Sequence, residues 1–232
     1  GNFNSDNCAA GGFTLDYGPF GFCELFDPRF QPWTGGGEHF SFFNQKNAAE
    51  ANYQMFWAAL RLLLIDNAEA LKRLDNIRDD FAQTMNHEME NMWAKKLGLI
   101  RCEPSLVNEM LQLMISSKVD YTIFFRRLSN IPNNITEIKE SFYKTSSEQI
   151  DNKWNSWLQR WREKIKNRVD QTEISAKMKL VNPKYTWREW LITPAYEKAE
   201  QGDYSLIKEL QAVLANPYEK QSLDIERKYD RL

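Results

Sequence analysis

"NSDN", residues 4–7, is followed by "LDYG", residues 15–18, with only "CAAGGFT" between them. The reading of this stretch decides the fold. Asp6, Asn7 and Asp16 are short side chains that offer hard oxygen atoms, and apolar packing gives no reason to gather them. Gly11-Gly12 predicts a two-residue hairpin turn, because both positions can take positive φ without steric cost. With the turn there, Ala10 faces Phe13, Ala9 faces Thr14, Cys8 faces Leu15 and Asn7 faces Asp16. Directly opposed residues place their Cβ atoms about 4.5–5.5 Å apart, so an amide oxygen and a carboxylate meet at the mouth of the hairpin. Asp6 stands on the loop just before them.

Two readings of that pairing stay open on spacing alone. In the first, Asn7 and Asp16 share a hard cation such as Mg²⁺, which takes octahedral oxygen, keeps several waters and needs only one or two protein carboxylates beside substrate phosphates. Asp6 is then free to accept a hydroxyl proton. Kinase-type phosphate chemistry divides its labour in this way, and "LDYG" is a close variant of the Asp-Phe-Gly motif whose Asp holds metal. In the second, the three residues belong to an Asx-rich turn and cap backbone groups. One departure from ordinary protein kinases is plain. Their catalytic Asp and metal-binding Asn are separated by four residues, whereas Asp6 and Asn7 are adjacent.

Composition narrows the class. The chain has 232 residues, enough to bury a core, and 42% hydrophobic with 27% charged residues is ordinary for a globular protein. Thirty basic residues nearly balance thirty-two acidic ones, which gives no reason to expect nucleic acid or an anionic membrane as partner. The best apolar run, "MFWAALRLLLI" (55–65), is interrupted by Arg61 and is too short for a membrane span. Cys8, Cys23 and Cys102 form no CxxC pair and no metal-ligand spacing, and are read as free thiols in a reducing compartment. The chain opens on Gly1 in a dense Gly/Asn/Asp segment without a signal or transit peptide, and is read as a fragment.

Glycines crowd the first forty or so residues, a loop and short-strand composition. The rest reads as helix. Residues 49–66 are apolar on most faces and predict a buried helix. Residues 68–99 repeat Leu71, Leu74, Ile77, Phe81, Met85, Met89 and Met92 at helical spacing, with Gly98 as C-cap. Further helices are expected over 105–116, over 119–131 up to Pro132, and over 147–169. In the last of these Ile150, Trp154, Trp157, Leu158, Trp161 and Ile165 make one stripe. Near-neutral charge favours packing over base stacking for those tryptophans. Residues 182–217 predict two or three short helices separated by Pro183, Pro194 and Gly202. His87, in a charged helix, and His39, beside Gly35–Gly37, are read as structural or solvated rather than as ligands.

The fold class expected is mainly α. Residues 1–45 form the catalytic loop, metal-binding hairpin and activation-like segment. Residues 46–232 form the helical lobe and its extension, in one continuous domain.

"GNFNSDN", "GGFTLDYGPFGF" and "FDPRFQPWT" closely resemble the selenoprotein O family of kinase-like proteins, which carries an Asn-Thr/Ser-Asp-Asn segment and an Asp-Tyr-Gly-Pro-Phe segment at this spacing. The resemblance continues in "SFFNQ" (41–45), "NPKYTWREWL" (182–191), "AEQGDYS" (199–205) and "LANPY" (214–218). Residues 65–180 match mainly as a helical region. The resemblance implies that this mainly α chain is the C-lobe of a protein-kinase-like fold with a short catalytic-loop β-hairpin, followed by additional C-terminal helices. It implies a kinase-like enzyme that binds ATP in a flipped orientation. It transfers AMP to Ser, Thr or Tyr hydroxyls of proteins and releases pyrophosphate. By motif position it implies that Asp6 is the proton acceptor, Asn7 a Mg²⁺ (or Mn²⁺) ligand, and Asp16 the second metal ligand, which also faces ATP. It implies a mitochondrial protein if the source is eukaryotic and a cytoplasmic one if bacterial, with ATP and proteins as partners and oligomeric state open.

Departures bear on this. Lys46 stands where family members usually carry Pro, a local turn effect. The chain stops at Leu232 without the Ser-rich tail in which the family places its reactive Cys or selenocysteine. Cys23 is read first as a plain buried thiol, and otherwise as a redox partner for such a tail. No Gly-rich phosphate loop or Lys/Glu pair is recognisable, so the N-lobe is expected to be missing and the chain alone nearly inactive. Phosphotransfer on the same scaffold and a catalytically dead interaction module remain as alternatives.

Overall fold

The computed structural model describes residues 3–13, 24–31, 37–38, 41–166 and 170–230. These are mainly helical, in the order α1 (Gln45–Leu63), α2 (Ala68–Lys96), α3 (Pro104–Ser117), α4 (Tyr121–Leu128), α5 (Glu148–Lys166), α6 (Gln171–Lys179), α7 (Glu189–Glu200), α8 (Ser205–Ala215) and α9 (Leu223–Tyr229). Pairing of β type among the described residues is confined to two isolated bridges, Leu25 with Asp120 and Val119 with Phe142. Among them no helix is long and apolar enough to cross a membrane.

Local chemistry sets the helix ends. The α2 terminus is a Schellman motif. Leu99 N–H donates to Ala94 C=O at 2.8 Å and Gly98 N–H to Lys95 C=O at 3.2 Å, with Gly98 at φ +65. A Cβ there would lie 2.7 Å from Ile174 Cγ2, so glycine is required for space as well as for φ. Pro104 opens α3, where its missing N–H has no helical partner to lose. Asp120 caps α4 by accepting from Ile123 N–H at 3.0 Å.

The chain divides into two compact units. One comprises residues 1–23 and 27–89; the other comprises 24–26 and 90–232. In the first, α1 and α2 are joined by Tyr53 stacked on Phe81, 4.6 Å between centroids, and by Asp75, which accepts from Trp57 Nε1 at 3.0 Å and from Arg61. The expectation of a buried helix over 49–66 is corrected here. Only Ala48 and Asn52 of α1 are buried, while Met55, Phe56, Leu62 (74%) and Leu63 (80%) are exposed. An apolar sequence measures what a helix can bury, and among the described residues few partners meet that surface.

In the second unit the tryptophan stripe is core, as read. Trp154, Trp157 and Trp161 of α5 are fully buried. Each indole N–H finds an acceptor: Ser117 Oγ at 2.8 Å, Leu106 C=O at 2.9 Å and Leu97 C=O at 2.8 Å. Pro194 does not separate helices as expected but lies inside α7. Burial of Leu191 and Ala195 in one cluster with Tyr185, Leu210, Val213 and Tyr229 carries the helix through, offsetting the lost backbone bond. Two of the motif blocks meet here, since Lys184 and Tyr185 both donate backbone N–H groups to Pro217 C=O, at 2.7 and 3.1 Å.

Lys96, in the last turn of α2, gives a pH-dependent test of this packing. Its Nζ lies 4.3 Å from the Phe125 ring centroid and 5.5 Å from that of Tyr121. Burial lowers its pKa from 10.5 to about 8. The unfolded chain therefore binds more protons between pH 8 and 10.5, so this group makes stability rise with pH across that window, with its full penalty below it. Lys96→Met is expected to raise stability at pH 7 by about 1–2 kcal/mol, the desolvation gain being reduced by the lost cation–π attraction. The advantage should vanish above pH 10.5 in calorimetric melts.

Candidate active site

The Asp6–Asn7 segment is a single 3₁₀ turn, Ser5–Asn7, closed by Asn7 N–H donating to Asn4 C=O at 3.0 Å. The chain enters it extended at Asn4 (φ −84, ψ 169) and leaves it extended at Cys8 (φ −114, ψ 114). With about three residues per turn, neighbouring side chains leave such a turn roughly 120° apart. The adjacent pair is thereby split: Asp6 is exposed and Asn7 half-buried. Adjacency thus does not force the carboxylate and the amide onto one ligand.

The segment is tied to α1. Asn52 Nδ2 donates to Phe3 C=O at 3.0 Å, across 49 residues of sequence, and Asn52 is one of the two buried residues of α1. Sequence reasoning did not single Asn52 out. Its signal was present, an amide one helical turn after Ala48 and on the same face, which must find a partner if buried. Beside this tie lies an open groove of about 510 Å³ in the first unit. Asn4, Asp6, Asn44, Asn47 and Asn52 supply its polar wall, and Met55 and Ala51 part of its apolar one. Asn47 Nδ2 donates to Asn44 Oδ1 at 2.6 Å, so two of these amides orient each other.

The expected turn is present but shifted. Gly12 N–H donates to Ala9 C=O at 3.2 Å, so Ala10 and Gly11 are its central residues. Gly12 has φ +75 while Gly11 stays outside the positive region. This is a turn followed by a left-handed glycine; the return strand of the expected hairpin, from Thr14 onward, lies outside the described residues. A Cβ on Gly11 would lie 2.6 Å from the Phe13 ring, so Gly11 serves close approach rather than φ. Asp16, the expected second metal ligand, lies outside the described residues, as do Cys23 and His39. Among the described residues no three His, Cys, Asp or Glu side chains gather as a metal site. Cys8 and Cys102 are free thiols, as expected, and His87 is exposed on α2.

A family model described as protein adenylyltransferase SelO matches residues 1–215. The chain is similar to the protein nucleotidyltransferase YdiU of Flavobacterium johnsoniae, 31% identical over 235 residues that cover 95% of this chain and 44% of that protein. It is likewise similar to the YdiU proteins of Aromatoleum aromaticum, 32% identical over 231 residues (95% and 43%), and Pseudomonas fluorescens, 34% identical over 230 residues (95% and 45%). The chain therefore spans less than half the length of these relatives.

Proposed function

Because the chain belongs to the SelO family of protein adenylyltransferases, we propose that it is the helical part of a kinase-like enzyme that transfers AMP from ATP to Ser, Thr or Tyr hydroxyls of proteins. The observation that supports this reading is the 3₁₀ turn, which leaves Asp6 exposed at the edge of a groove and Asn7 half-buried. Asp6 is the general base. Its carboxylate takes the proton of the acceptor hydroxyl as that oxygen forms a bond to the α-phosphorus of ATP. The bond from that phosphorus to the bridging oxygen breaks, and pyrophosphate carries the electron pair away. Asn7 and Asp16 would hold Mg²⁺ or Mn²⁺, and their amide and carboxylate oxygens suit such a hard ion. Bound there, the ion supplies charge neutralisation for the phosphates and the departing pyrophosphate. The groove wall of paired asparagine amides is suited to an extended acceptor segment, whose backbone both donates and accepts. The relatives named above are bacterial, which supports a cytoplasmic over a mitochondrial setting.

The deciding experiment uses the full-length protein with ATP labelled at either end. Label from the α-phosphate is expected on acceptor proteins, and none from the γ-phosphate. Transfer of γ-label instead would assign phosphorylation to the same scaffold, and transfer of neither would leave a non-catalytic interaction module.

A further inference from the structure

An open groove of about 430 Å³ in the second unit takes no part in the chemistry above. Four side chains of α5 line it: Asn155, Gln159, Arg162 and Lys166. Their spacing puts them along one face of the helix, next to the buried stripe of Trp154, Trp157, Leu158, Trp161 and Ile165. Asn134, the cap of the short 3₁₀ helix Ile135–Ser141, and Gln171, the first residue of α6, line it from neighbouring elements.

Arg162 sets this groove apart. It is half-buried, and its Nε is shut off from solvent with no hydrogen-bond partner among the described residues. Buried donors are rarely left so. Arg188, in the same unit, shows the usual arrangement. It is 4% exposed and grips both carboxylate oxygens of Asp120, with Nη1 donating to Oδ2 at 2.8 Å and Nη2 to Oδ1 at 3.2 Å. Among the described residues no carboxylate pairs with Arg162 in this way.

The bonds already made fix what the other lining groups offer. Asn155 Oδ1 accepts from Ile135 N–H at 2.8 Å and Asn134 Oδ1 from Thr136 N–H at 2.9 Å. Each amide oxygen is thus engaged, and each NH₂ group is left to donate. Glu163, a carboxylate of the lining, accepts from Gln159 Nε2 at 3.4 Å. Arg162 and Lys166 set two positive charges against it. Donors and positive charge are therefore in excess. The two oxygens of a carboxylate would take up few of these donors, and the three terminal oxygens of a phosphate ester take up more. The volume is that of a small-molecule site, and side-chain amides, which donate and accept, suit a hydroxylated body.

We propose that this groove binds a small hydroxylated phosphate ester, its phosphate held by Arg162, Lys166 and the amides of Asn134 and Asn155. The site shares no residue with the AMP-transfer site proposed above and does not rest on that reading.

The test is calorimetric titration of the full-length protein with ribose 5-phosphate, inorganic phosphate and ribose, with thermal melts in each. Ribose 5-phosphate is expected to bind, inorganic phosphate more weakly and ribose not at all. Arg162→Met keeps an unbranched apolar stem and removes the guanidinium. Since Nε bonds to nothing in the protein, this variant should melt no lower than the parent without ligand. Its affinity for ribose 5-phosphate should fall about tenfold or more, the ordinary worth of a hydrogen bond to a charged group. Asn155→Asp keeps an oxygen for Ile135 N–H and puts a carboxylate where the donor was. It should weaken binding at least as much, and it carries the test if Arg162→Met fails to fold. The ester should also raise the melting temperature of the parent and not that of either variant. Three results overturn the proposal. If no phosphate compound binds, the groove is hydrated surface. If inorganic phosphate binds and the ester does not, the site takes an adventitious ion only. If the ester binds the parent and both variants equally, it binds elsewhere.

Discussion

Asp6→Ala, made in the full-length protein, is expected to cut the rate of AMP transfer by ~10²–10⁴-fold, the ordinary worth of a positioned general base, and to leave Mg·ATP affinity nearly unchanged. Three features lead to this split. Asp6 is exposed, so its removal opens no cavity and the protein should melt as the parent does. It sits in the middle of a turn whose closing hydrogen bond runs between the backbones of Asn4 and Asn7, so the turn does not depend on its side chain. The 3₁₀ geometry also sends the Asp6 and Asn7 side chains in different directions, so in the proposed mechanism proton transfer and metal holding fall to separate groups. Asp6→Asn makes the sharper comparison, since it preserves shape and removes basicity; it should be as slow as Ala. Initial rates with α-labelled ATP measure both. An Asn variant retaining a third of the parent rate would return Asp6 to the role of a turn residue.

The helices of this chain were legible because their signals are local. Gly98 ends α2 and Pro104 begins α3 where glycine and proline chemistry puts them. The spacing of Trp154, Trp157 and Trp161 places all three on one buried face. What escaped the sequence depends on partners far along the chain. Asn52 matters because of a carbonyl 49 residues away, and Arg188 because of Asp120, 68 residues before it. No spacing rule marks either pair. Pro194 misled because propensity was read without burial; the apolar face of α7 decides there. The exposed apolar side of α1 misled in the opposite sense, since hydrophobicity records a capacity to bury and not the presence of something to bury against. The turn at Ala9–Gly12 was located but misregistered by one residue. Two adjacent glycines permit positive φ at both positions, and only the side chain of Phe13 distinguishes the one that needs room from the one that needs the left-handed conformation.

Trp157→Ala is expected to have the largest effect on stability, about 3–5 kcal/mol. Trp157 is fully buried and lies between two other tryptophans. Its ring meets Trp154 edge-on, 5.8 Å between centroids, and runs nearly parallel to Trp161 at 6.0 Å. Its N–H is also the donor to Leu106 C=O in α3, so truncation removes a hydrogen bond between helices together with the packing. Against a typical total of about 5–15 kcal/mol, the loss should lower the melting temperature by about 10 °C or more and reduce the near-ultraviolet aromatic signal. Trp157→Phe divides the two contributions. It keeps much of the apolar volume and gives up the N–H, so it should cost about 1–2 kcal/mol. If the stripe were instead a surface for stacking ligands, Ala would melt like the parent. The size of the Ala–Phe gap therefore reports how much of the second unit's cohesion is ring packing and how much is the single bond to Leu106. The burial of all three rings predicts that packing is the larger share.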